Sequence, residues 1–225
     1  MVNNLVVIGA NSEFCQIFLD IADESEWKIY GISRKKINTI PSDNQLLVSN
    51  YLDDIEKILF FLSKVENAYV VFFNGFLAEN RPTYFPSDSE INKTIEVNYL
   101  VPYQITLKMI AKLKIKKLIY ISSIAATKPR YKNFIYGICK RNLEESISQI
   151  DDLDYLIIRY GQIHTSMSKN HSSAPFSLSK EQAARKLFKL INQNGKKYAS
   201  KPLLISSLLI KFLPIKFINY IEGRN

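Results

Sequence analysis

The chain has 225 residues, of which 47% are hydrophobic and 23% charged, and its formal net charge is +9. This length and balance predict a folded domain with its own core and exclude a disordered chain. The two cysteines, Cys15 and Cys139, are too few for a disulfide framework and lack the spacing of metal ligands, so we expect no metal and a reducing, cytoplasmic location. The lysines are spread along the chain without a nucleic-acid-binding motif, which predicts no nucleic-acid partner.

Short apolar runs alternate with helical patterns along the chain, an order typical of a parallel sheet with helices on both faces. The predicted strands are Leu5–Ile8, Lys28–Ile32, Gln45–Val48, Ala68–Phe73, Lys117–Ser122 and Asp154–Arg159. The predicted helices are Phe14–Ala22, Leu52–Leu62, Ile91–Leu113, Phe134–Gln149 and Lys180–Asn192. Pro102 predicts a kink or break in the third of these helices. Without repeats or linkers, the pattern predicts a single α/β domain with a doubly wound parallel sheet.

A candidate phosphate-binding turn follows the first predicted strand, where free backbone N–H groups and a helix dipole would face an anion. Its candidate contacts are Gly9, Asn11, Ser12, Glu13 and Phe14. Only Gly9 matches the three glycines of a dinucleotide-binding fingerprint. An ordinary β–α turn is therefore the alternative interpretation.

The ends of the next strands carry two further candidates. Arg34 follows the second strand, where an acidic residue would bind the ribose of NAD and an arginine accommodates the 2′-phosphate of NADP. Arg34 thus predicts NADP(H), with NAD(H) as the second choice and a solvated basic turn as the alternative. Asn74 and Gly75 follow the fourth strand, where a glycine lets a cofactor approach the backbone or merely marks a turn.

Tyr136 and Lys140 form the most informative pair, because residues four apart lie on the same face of a helix. An ammonium near a phenol lowers the pKa of the tyrosine, which can then exchange a proton with an alcohol or carbonyl. Ser123, from a neighbouring strand end, would hydrogen-bond the same substrate oxygen. The spacing alone also occurs by chance in a chain with 13 tyrosines.

Several motifs at compatible spacing resemble those of the short-chain dehydrogenase/reductase family over nearly the whole chain. Besides the glycine turn, these are Phe72-Phe73-Asn74-Gly75, Val97-Asn98, Ile121-Ser122-Ser123, the Tyr136/Lys140 pair and the run from Arg159 to Met167. That run resembles the family's Arg-Pro-Gly-x-x-x-Thr-x-Met, with Tyr160 in place of the proline. Glu13 and Cys15 replace two glycines of the family's turn, and Asn50 stands where the family often has an aspartate at the adenine.

The resemblance implies a Rossmann-like three-layer α/β/α fold, with an NAD(P)-binding domain over residues 1–200 that includes a substrate loop at 164–179. It implies Asn98, Ser123, Tyr136 and Lys140 as the catalytic residues. Tyr136 would donate the proton, Ser123 would bind the substrate oxygen, Lys140 would also bind the nicotinamide ribose, and Asn98 would hold a water that links Lys140 to solvent. It further implies Asn50, Gly161, Ile163 and Thr165 as cofactor contacts.

The implied function is NADP(H)-dependent transfer of hydride between the nicotinamide and a carbonyl or secondary alcohol, with a keto-sugar or lipid-linked sugar as the first guess. One alternative is a nucleotide-sugar epimerase or dehydratase of the same superfamily. A second alternative is a protein that senses NADP(H) without turnover. We expect a small-molecule substrate and a homo-oligomer.

The extension at 201–225 is unusually apolar, and its stretch 203–221 is interrupted by Pro214, Lys211 and Lys216. This pattern predicts two short amphipathic helices hinged near Pro214 rather than a membrane-spanning helix. Their apolar faces would pack on the domain, form a dimer interface, or lie in a membrane surface with the lysines at the headgroups. The tail also resembles the basic, apolar C-termini by which some family members face lipid.

Overall fold

The computed structural model describes residues 2–78, 85–168 and 174–221, and it contains a seven-stranded parallel sheet in the order β3-β2-β1-β4-β5-β6-β7. The strands are β1 (Asn3–Ile8), β2 (Trp27–Ser33), β3 (Gln45–Leu47), β4 (Ala68–Phe72), β5 (Ile115–Ser123), β6 (Tyr155–Tyr160) and β7 (Gly195–Tyr198). The central strands β1 and β4 are almost wholly buried, as expected for strands covered by helices on both faces.

Eight α-helices flank the sheet in the described residues. They are α1 (Glu13–Asp20), α2 (Ile55–Leu62), α3 (Asp88–Ile95), α4 (Val101–Lys112), α5 (Phe134–Ser148), α6 (Lys180–Leu190), α7 (Lys201–Phe212) and α8 (Ile215–Ile221). One apolar core lies between the sheet and α1, α6 and α7, and a second lies between the opposite face and α2, α4 and α5. The predicted doubly wound parallel sheet is therefore confirmed.

The strand order reverses between β1 and β4, because β2 and β3 lie on one side of β1 and the remaining strands on the other. In open parallel sheets the crevice outside the carboxyl ends of the strands at this switch point is where ligands bind. The segments that follow β1 and β4 are therefore where we expect a ligand to bind.

Two features of the fold differ from the predictions. The strand β7 was not predicted; its short run Gly195–Tyr198 contains two lysines and pairs only with β6 at the sheet edge. The single long helix predicted at Ile91–Leu113 is divided into α3, a π-helical segment at Glu96–Leu100, and α4, with Pro102 in the first turn of α4. The predicted break near Pro102 is thus real, but it is a widened turn that leads into a new helical segment.

Candidate active site

A cavity of about 860 Å³ opens at the carboxyl ends of the strands around the switch point. Three of the four predicted catalytic residues and all the predicted cofactor contacts line it: Gly9, Asn11, Ser12, Glu13, Phe14, Arg34, Asn50, Asn74, Gly75, Ser123, Tyr136, Lys140, Gly161, Ile163 and Thr165. Residues 169–173 of the predicted substrate loop lie outside the described residues. Residues that are far apart in the sequence thus line one continuous cavity.

The turn after β1 approaches the neighbouring strand closely. Gly9 has a φ of +85°, and a Cβ at this position would lie 3.0 Å from the backbone nitrogen of Asn74. Ser12 caps α1 by accepting a hydrogen bond from the backbone N–H of Cys15 at 3.1 Å. The Cys15 side chain, in the place of a family glycine, is fully buried in the apolar core. The turn therefore keeps its one indispensable glycine and a capped helix start.

Glu13, the first residue of α1, places a carboxylate at the edge of this turn. Its oxygens accept hydrogen bonds from the backbone N–H of Ser166 at 3.1 and 3.2 Å, and the Lys180 ammonium lies 3.5 Å away. The contact with Ser166 is the largest influence and lowers the pKa of the Glu13 carboxyl, and Lys180 lowers it further. The turn is therefore tied to the loop after β6 by an ionised side chain.

The opposite end of the cavity holds Arg34, which is exposed after β2, and Tyr51, which the sequence analysis did not single out. Among the described residues, the buried Tyr51 hydroxyl and the Asn74 side-chain carbonyl have no hydrogen bond of normal geometry, although the two side chains lie close to each other. Burial raises the pKa of Tyr51 to about 12, so its hydroxyl remains a neutral donor. Buried polar groups normally have partners, so these two atoms fit a polar ligand in the cavity.

A dinucleotide meets these requirements. The close-approach glycine, the capped N-terminus of α1 and Arg34 suit phosphates, while the two unpartnered atoms suit ribose and base edges. Asn50 lines the cavity, but its side-chain oxygen accepts hydrogen bonds from the backbone N–H groups of Leu52 at 2.7 Å and Asp53 at 3.3 Å. We therefore expect Asn50 to shape the turn more than to contact the adenine directly.

The elements β5 and α5 form the side of the cavity that carries three of the predicted catalytic residues, and we call this side the catalytic wall. Ser123 is the last residue of β5, and Tyr136 and Lys140 lie in the first two turns of α5. Between them, Gly137 allows α5 to press against the segment after Ser123, because a Cβ there would come within 2.8 Å of the Ala125 carbonyl oxygen. This close packing is what brings the serine and the tyrosine to the same part of the cavity.

Lys140 is buried, and the Nζ atom lies 5.7 Å from the ring centroid of Tyr136. Its ammonium donates one hydrogen bond, at 3.0 Å, to the backbone carbonyl of Ile121. Because an ammonium has three donors, donors remain for groups bound in the cavity. Burial lowers the pKa of Lys140 to about 8, while Cys139 and Glu144 raise it. Lys140 is thus held in a position to titrate near physiological pH.

The expected lowering of the tyrosine pKa is wrong for the protein alone. Burial raises the pKa of Tyr136 to about 12, and contact with Ser123 offsets only part of this rise. Desolvation disfavours the phenolate, and the Lys140 ammonium, 5.7 Å from the ring centroid, does not offset this effect. At neutral pH Tyr136 is therefore a protonated acid, which is the state required to donate a proton to a carbonyl oxygen.

A buried ionic network supports this wall from behind. The Arg159 guanidinium pairs with the Glu144 carboxylate, with Nη2 and Oε2 2.5 Å apart, and the Ser122 hydroxyl donates to Glu144 at 2.6 Å. The remaining Nη1 of Arg159 donates to the Thr127 and Tyr198 hydroxyls at 2.9 and 2.7 Å. Removing one partner of such a buried pair leaves an uncompensated charge, so the network fixes β5, β6 and α5 relative to one another.

Asn98 does not line the cavity. It is fully buried in the π-helical segment, where its side-chain amide donates to the carbonyls of Phe76 and Thr94 at 2.6 and 2.8 Å. Both amide donors are thereby used by the backbone. The residue four positions later, Pro102, has no N–H to bond the Asn98 carbonyl as an α-helix would require. The water that the resemblance implies at Asn98 stays a prediction.

Several cavity residues were not predicted. Arg130, Lys132 and Asn133 line the end next to Tyr136, and Met167 lies over Gly75. The side-chain oxygen of Asn133 is buried and has no partner among the described residues. The sequence signal was available, because the segment between Ser123 and Tyr136 has both of its ends in the site and must border it.

No protein-family model matches this sequence, and no curated protein is similar enough to it to count as a relative. Solved structures are similar. A short-chain dehydrogenase from Burkholderia cenocepacia in complex with NADP has a TM-score of 0.74 and 13% identity, covering 97% of this chain and 96% of that one.

Two further structures span similar shares of both chains. A ligand-free aldohexose dehydrogenase from Thermoplasma acidophilum has a TM-score of 0.71 and 13% identity, covering 91% of this chain and 94% of that one. A 4-hydroxyisoleucine dehydrogenase complexed with NADH has a TM-score of 0.66 and 16% identity, covering 87% and 95%. At these identities the likeness establishes the fold, which is the single-domain Rossmann-like fold of short-chain dehydrogenases and reductases.

Proposed function

We propose that the protein is an NADP(H)-dependent oxidoreductase that reduces a carbonyl group or oxidises the corresponding secondary alcohol. The observation that carries this proposal is that Ser123, Tyr136 and Lys140 line the same cavity as Arg34 and the Gly9 turn. Tyr136, the proposed proton donor, and the buried Lys140 ammonium lie at one end of a cavity that is large enough for a dinucleotide. This arrangement suits a reaction in which an oxygen gains or loses a proton as its carbon gains or loses hydride.

In this proposal the chain binds, orients and protonates the substrate, and the bound nicotinamide supplies the hydride chemistry. Ser123 donates a hydrogen bond to the substrate oxygen and fixes its position. Tyr136, protonated at neutral pH, donates the proton to that oxygen. Lys140 stabilises the negative charge that develops on the phenol and the substrate oxygen, since its ammonium lies beside the tyrosine ring.

The preference for NADP(H) rests on Arg34 at the adenosine end. No salt bridge joins Arg34 to another described residue, so its guanidinium is available to a 2′-phosphate, which it can hydrogen-bond in a bidentate manner. Solved structures of the same fold contain NADP or NADH, which supports either dinucleotide as a ligand of this architecture. Direct titration with NADPH and NADH decides between them.

For the substrate we propose a hydroxylated carbonyl compound such as a keto-sugar. The support is the polar lining beside Tyr136, where Arg130, Lys132 and Asn133 border the cavity and the buried side-chain oxygen of Asn133 has no partner among the described residues. An unpartnered buried acceptor favours a ligand that brings hydroxyl groups to it. A sugar dehydrogenase among the structures of the same fold adds support.

The test is a panel of aldehydes, ketones and keto-sugars, with NADPH consumption followed by absorbance. We expect at least one hydroxylated carbonyl compound to be reduced by the wild type and not by a Lys140→Met variant. Arg185→Met, which replaces a basic residue on the exposed side of α6, is the matched control and should retain the rate. Equal rates in the wild type and Lys140→Met would contradict the proposal.

The same assay separates the alternatives. A nucleotide-sugar epimerase or dehydratase would convert its substrate without net NADPH loss, which product analysis would reveal. A protein that only senses NADP(H) would bind NADPH with no turnover on any substrate. The homo-oligomer and the cytoplasmic location stay predictions, which light scattering and cell fractionation can test.

A further inference from the structure

The outer face of α7 is apolar and exposed. The inner face holds Leu203, which is 1% exposed, and Ser207, whose hydroxyl lies 2.6 Å from the Thr127 hydroxyl and 3.1 Å from that of Tyr198. On the outer face Leu209 is 63% exposed and Phe212 is 81% exposed. A surface helix normally turns a polar stripe to water, so a helix that is apolar all round needs another apolar medium outside.

The apolar surface continues onto α8. Ile218 is buried, whereas Ile215, Phe217 and Tyr220 of the same helix are exposed. We call the whole surface the C-terminal apolar face. It consists of Leu204, Ile205, Leu208, Leu209, Phe212, Ile215, Phe217 and Tyr220. Half of the large exposed apolar side chains of the described residues lie in these two helices, and contiguous patches of this kind mark interaction surfaces.

Hydrogen bonds on the inner side and at the end of α7 keep the outer face of this helix exposed. The Ser207 hydroxyl joins α7 to the polar network behind the catalytic wall, and the Lys128 ammonium donates hydrogen bonds to the carbonyls of Leu213 and Lys211 at the end of α7. Rotating α7 to bury its outer face would break these bonds. Packing on the protein's own core, one of the interpretations left open by the sequence, therefore accounts only for the inner face.

The charged residues of α7 and α8 have one sign. Residues 199–221 contain Lys201, Lys211 and Lys216 and no aspartate or glutamate, and Lys128 is held against the end of α7. All three lysines of the segment are exposed. An apolar face with aromatic side chains and a positive rim is complementary to an anionic, apolar partner, which describes the interface of an anionic bilayer.

A second copy of this chain is a poorer occupant. A twofold symmetric dimer through this face would bring the same patch of each subunit together. The lysines of the two copies would then lie closer together, and α7 and α8 themselves contain no carboxylate to neutralise them. Like charges placed across an interface oppose association, so the charge pattern favours lipid over self-association.

We propose that the C-terminal apolar face docks the protein on the surface of an anionic lipid bilayer, with α7 and α8 lying in the plane of the interface. Among the helices of residues 2–78, 85–168 and 174–221, none combines the length and apolarity needed to cross a bilayer. The 12 residues of α7 span about 18 Å, well short of the roughly 30 Å hydrocarbon thickness. Docking in the plane is therefore the geometry that the helix lengths allow.

This orientation brings the bilayer next to the site. Leu203, on the inner face of α7, packs against Gly161, and Gly161 lines the cavity together with Pro175 in the loop before α6. Leu204 and Ile205 of the docking face directly follow Leu203. The membrane surface would thus lie close to the rim of the cavity.

The experiment is flotation of the full-length protein with vesicles of phosphatidylcholine alone and of phosphatidylcholine mixed with phosphatidylserine. We expect binding to the mixed vesicles that weakens at high salt and is absent or much weaker with phosphatidylcholine alone, because salt screens the lysines. The double variant Lys211→Gln/Lys216→Gln should bind ~30-fold more weakly, since each lysine near the surface contributes about a factor of five. Failure of the wild type to float with mixed vesicles would overturn the proposal.

The apolar contribution is tested with Leu209→Ser/Phe212→Ser, which should lose most vesicle binding. The matched control is Leu47→Ser/Phe60→Ser, two apolar residues that are also exposed but lie at the other edge of the sheet. It should bind like the wild type, and equal losses in both variants would contradict the proposal. Light scattering decides the remaining case: if Leu209→Ser/Phe212→Ser converts an oligomer to monomers without changing vesicle binding, the face belongs to a second copy and the proposal is wrong. None of these readouts depends on the proposed enzyme activity.

Discussion

The two ends of the cavity are built in different ways. At the catalytic end, Ser123, Tyr136 and Lys140 stand on a strand and a helix, and the buried Glu144–Arg159 pair supports them. At the predicted phosphate-binding end, the turn after β1 lines the cavity, and the exposed Glu13 ties that turn to a loop. Proton transfer requires particular side-chain atoms at fixed positions, whereas backbone N–H groups bind an anion beneath many different side chains. The difference explains why one end matches the family pattern closely and the other does not.

The largest effect is expected from Tyr136→Phe at the catalytic end. Loss of a positioned proton donor typically lowers a rate by ~10²–10⁴-fold, so we expect kcat to fall by about this factor while the Kd for NADPH changes little. The measurement is steady-state reduction together with an NADPH titration. Tyr103→Phe on α4, whose ring stacks on Tyr99 away from the cavity, should keep the wild-type rate. Full activity of the Tyr136→Phe protein would contradict the assignment of Tyr136 as the proton donor.

A smaller effect is expected from Arg34→Gln at the adenosine end. Hydrogen bonds to a charged group are worth about 1.5–3 kcal/mol, so the KM for NADPH should rise ~10–100-fold while kcat at saturation is retained. The KM for NADH, which has no 2′-phosphate, should change little. Lys36→Gln, a neighbouring exposed residue outside the cavity lining, is the control. An equal rise for NADPH and NADH would show that Arg34 does not read the 2′-phosphate.

The pH dependence of reduction probes the buried lysine. With a pKa of about 8, Lys140 is protonated below this pH and loses its charge above it, whereas Tyr136, with a pKa of about 12, remains an acid throughout. We therefore expect kcat/KM to be level from about pH 6 to about pH 7.5 and to fall up to tenfold per pH unit above about pH 8. A profile that stays level to about pH 10 would contradict the role given to the ammonium.

The smallest effect is expected from Glu13→Gln at the phosphate-binding end. Removing an exposed like charge from the vicinity of a bound phosphate is worth less than about 1 kcal/mol, so NADPH should bind ~2–5-fold more tightly. Isothermal calorimetry measures this change, and Asp20→Asn at the far end of α1 is the control. Weaker binding by Glu13→Gln would mean that its link to Ser166 orders the site for the cofactor.

The fold was predictable where burial on both faces forces a simple pattern. Six strands and the helices between them follow from apolar runs such as Leu5–Ile8, which bury both faces. The edge strand β7 was not predicted, because its lysines reach solvent and its backbone pairs on only one side. The π-helical segment around Asn98 was not predicted either, because no local residue pattern distinguishes it from an α-helix. Pro102 indicated only a break in the helix.

For all predicted site residues except Asn98, the convergence on one cavity was predictable, but the electrostatics of that cavity were not. Residues at strand ends and at four-residue helical spacing were correctly brought to one cavity, since topology alone determines these positions. The direction of the Tyr136 pKa shift was not predictable, because it depends on how much water the finished fold excludes. The outward exposure of α7 was likewise hidden, because its sequence is apolar on both faces and does not say which face meets the protein.

Both cysteines of the chain are buried, Cys15 on α1 and Cys139 on α5, and burial raises the pKa of each thiol. Maleimides and other thiol reagents react with the thiolate, so the native chain should label slowly. A single cysteine introduced on an exposed surface would then carry a spin label or an environment-sensitive fluorophore at a known position without removal of the native thiols. The protein is thus ready for site-specific spectroscopy as it stands.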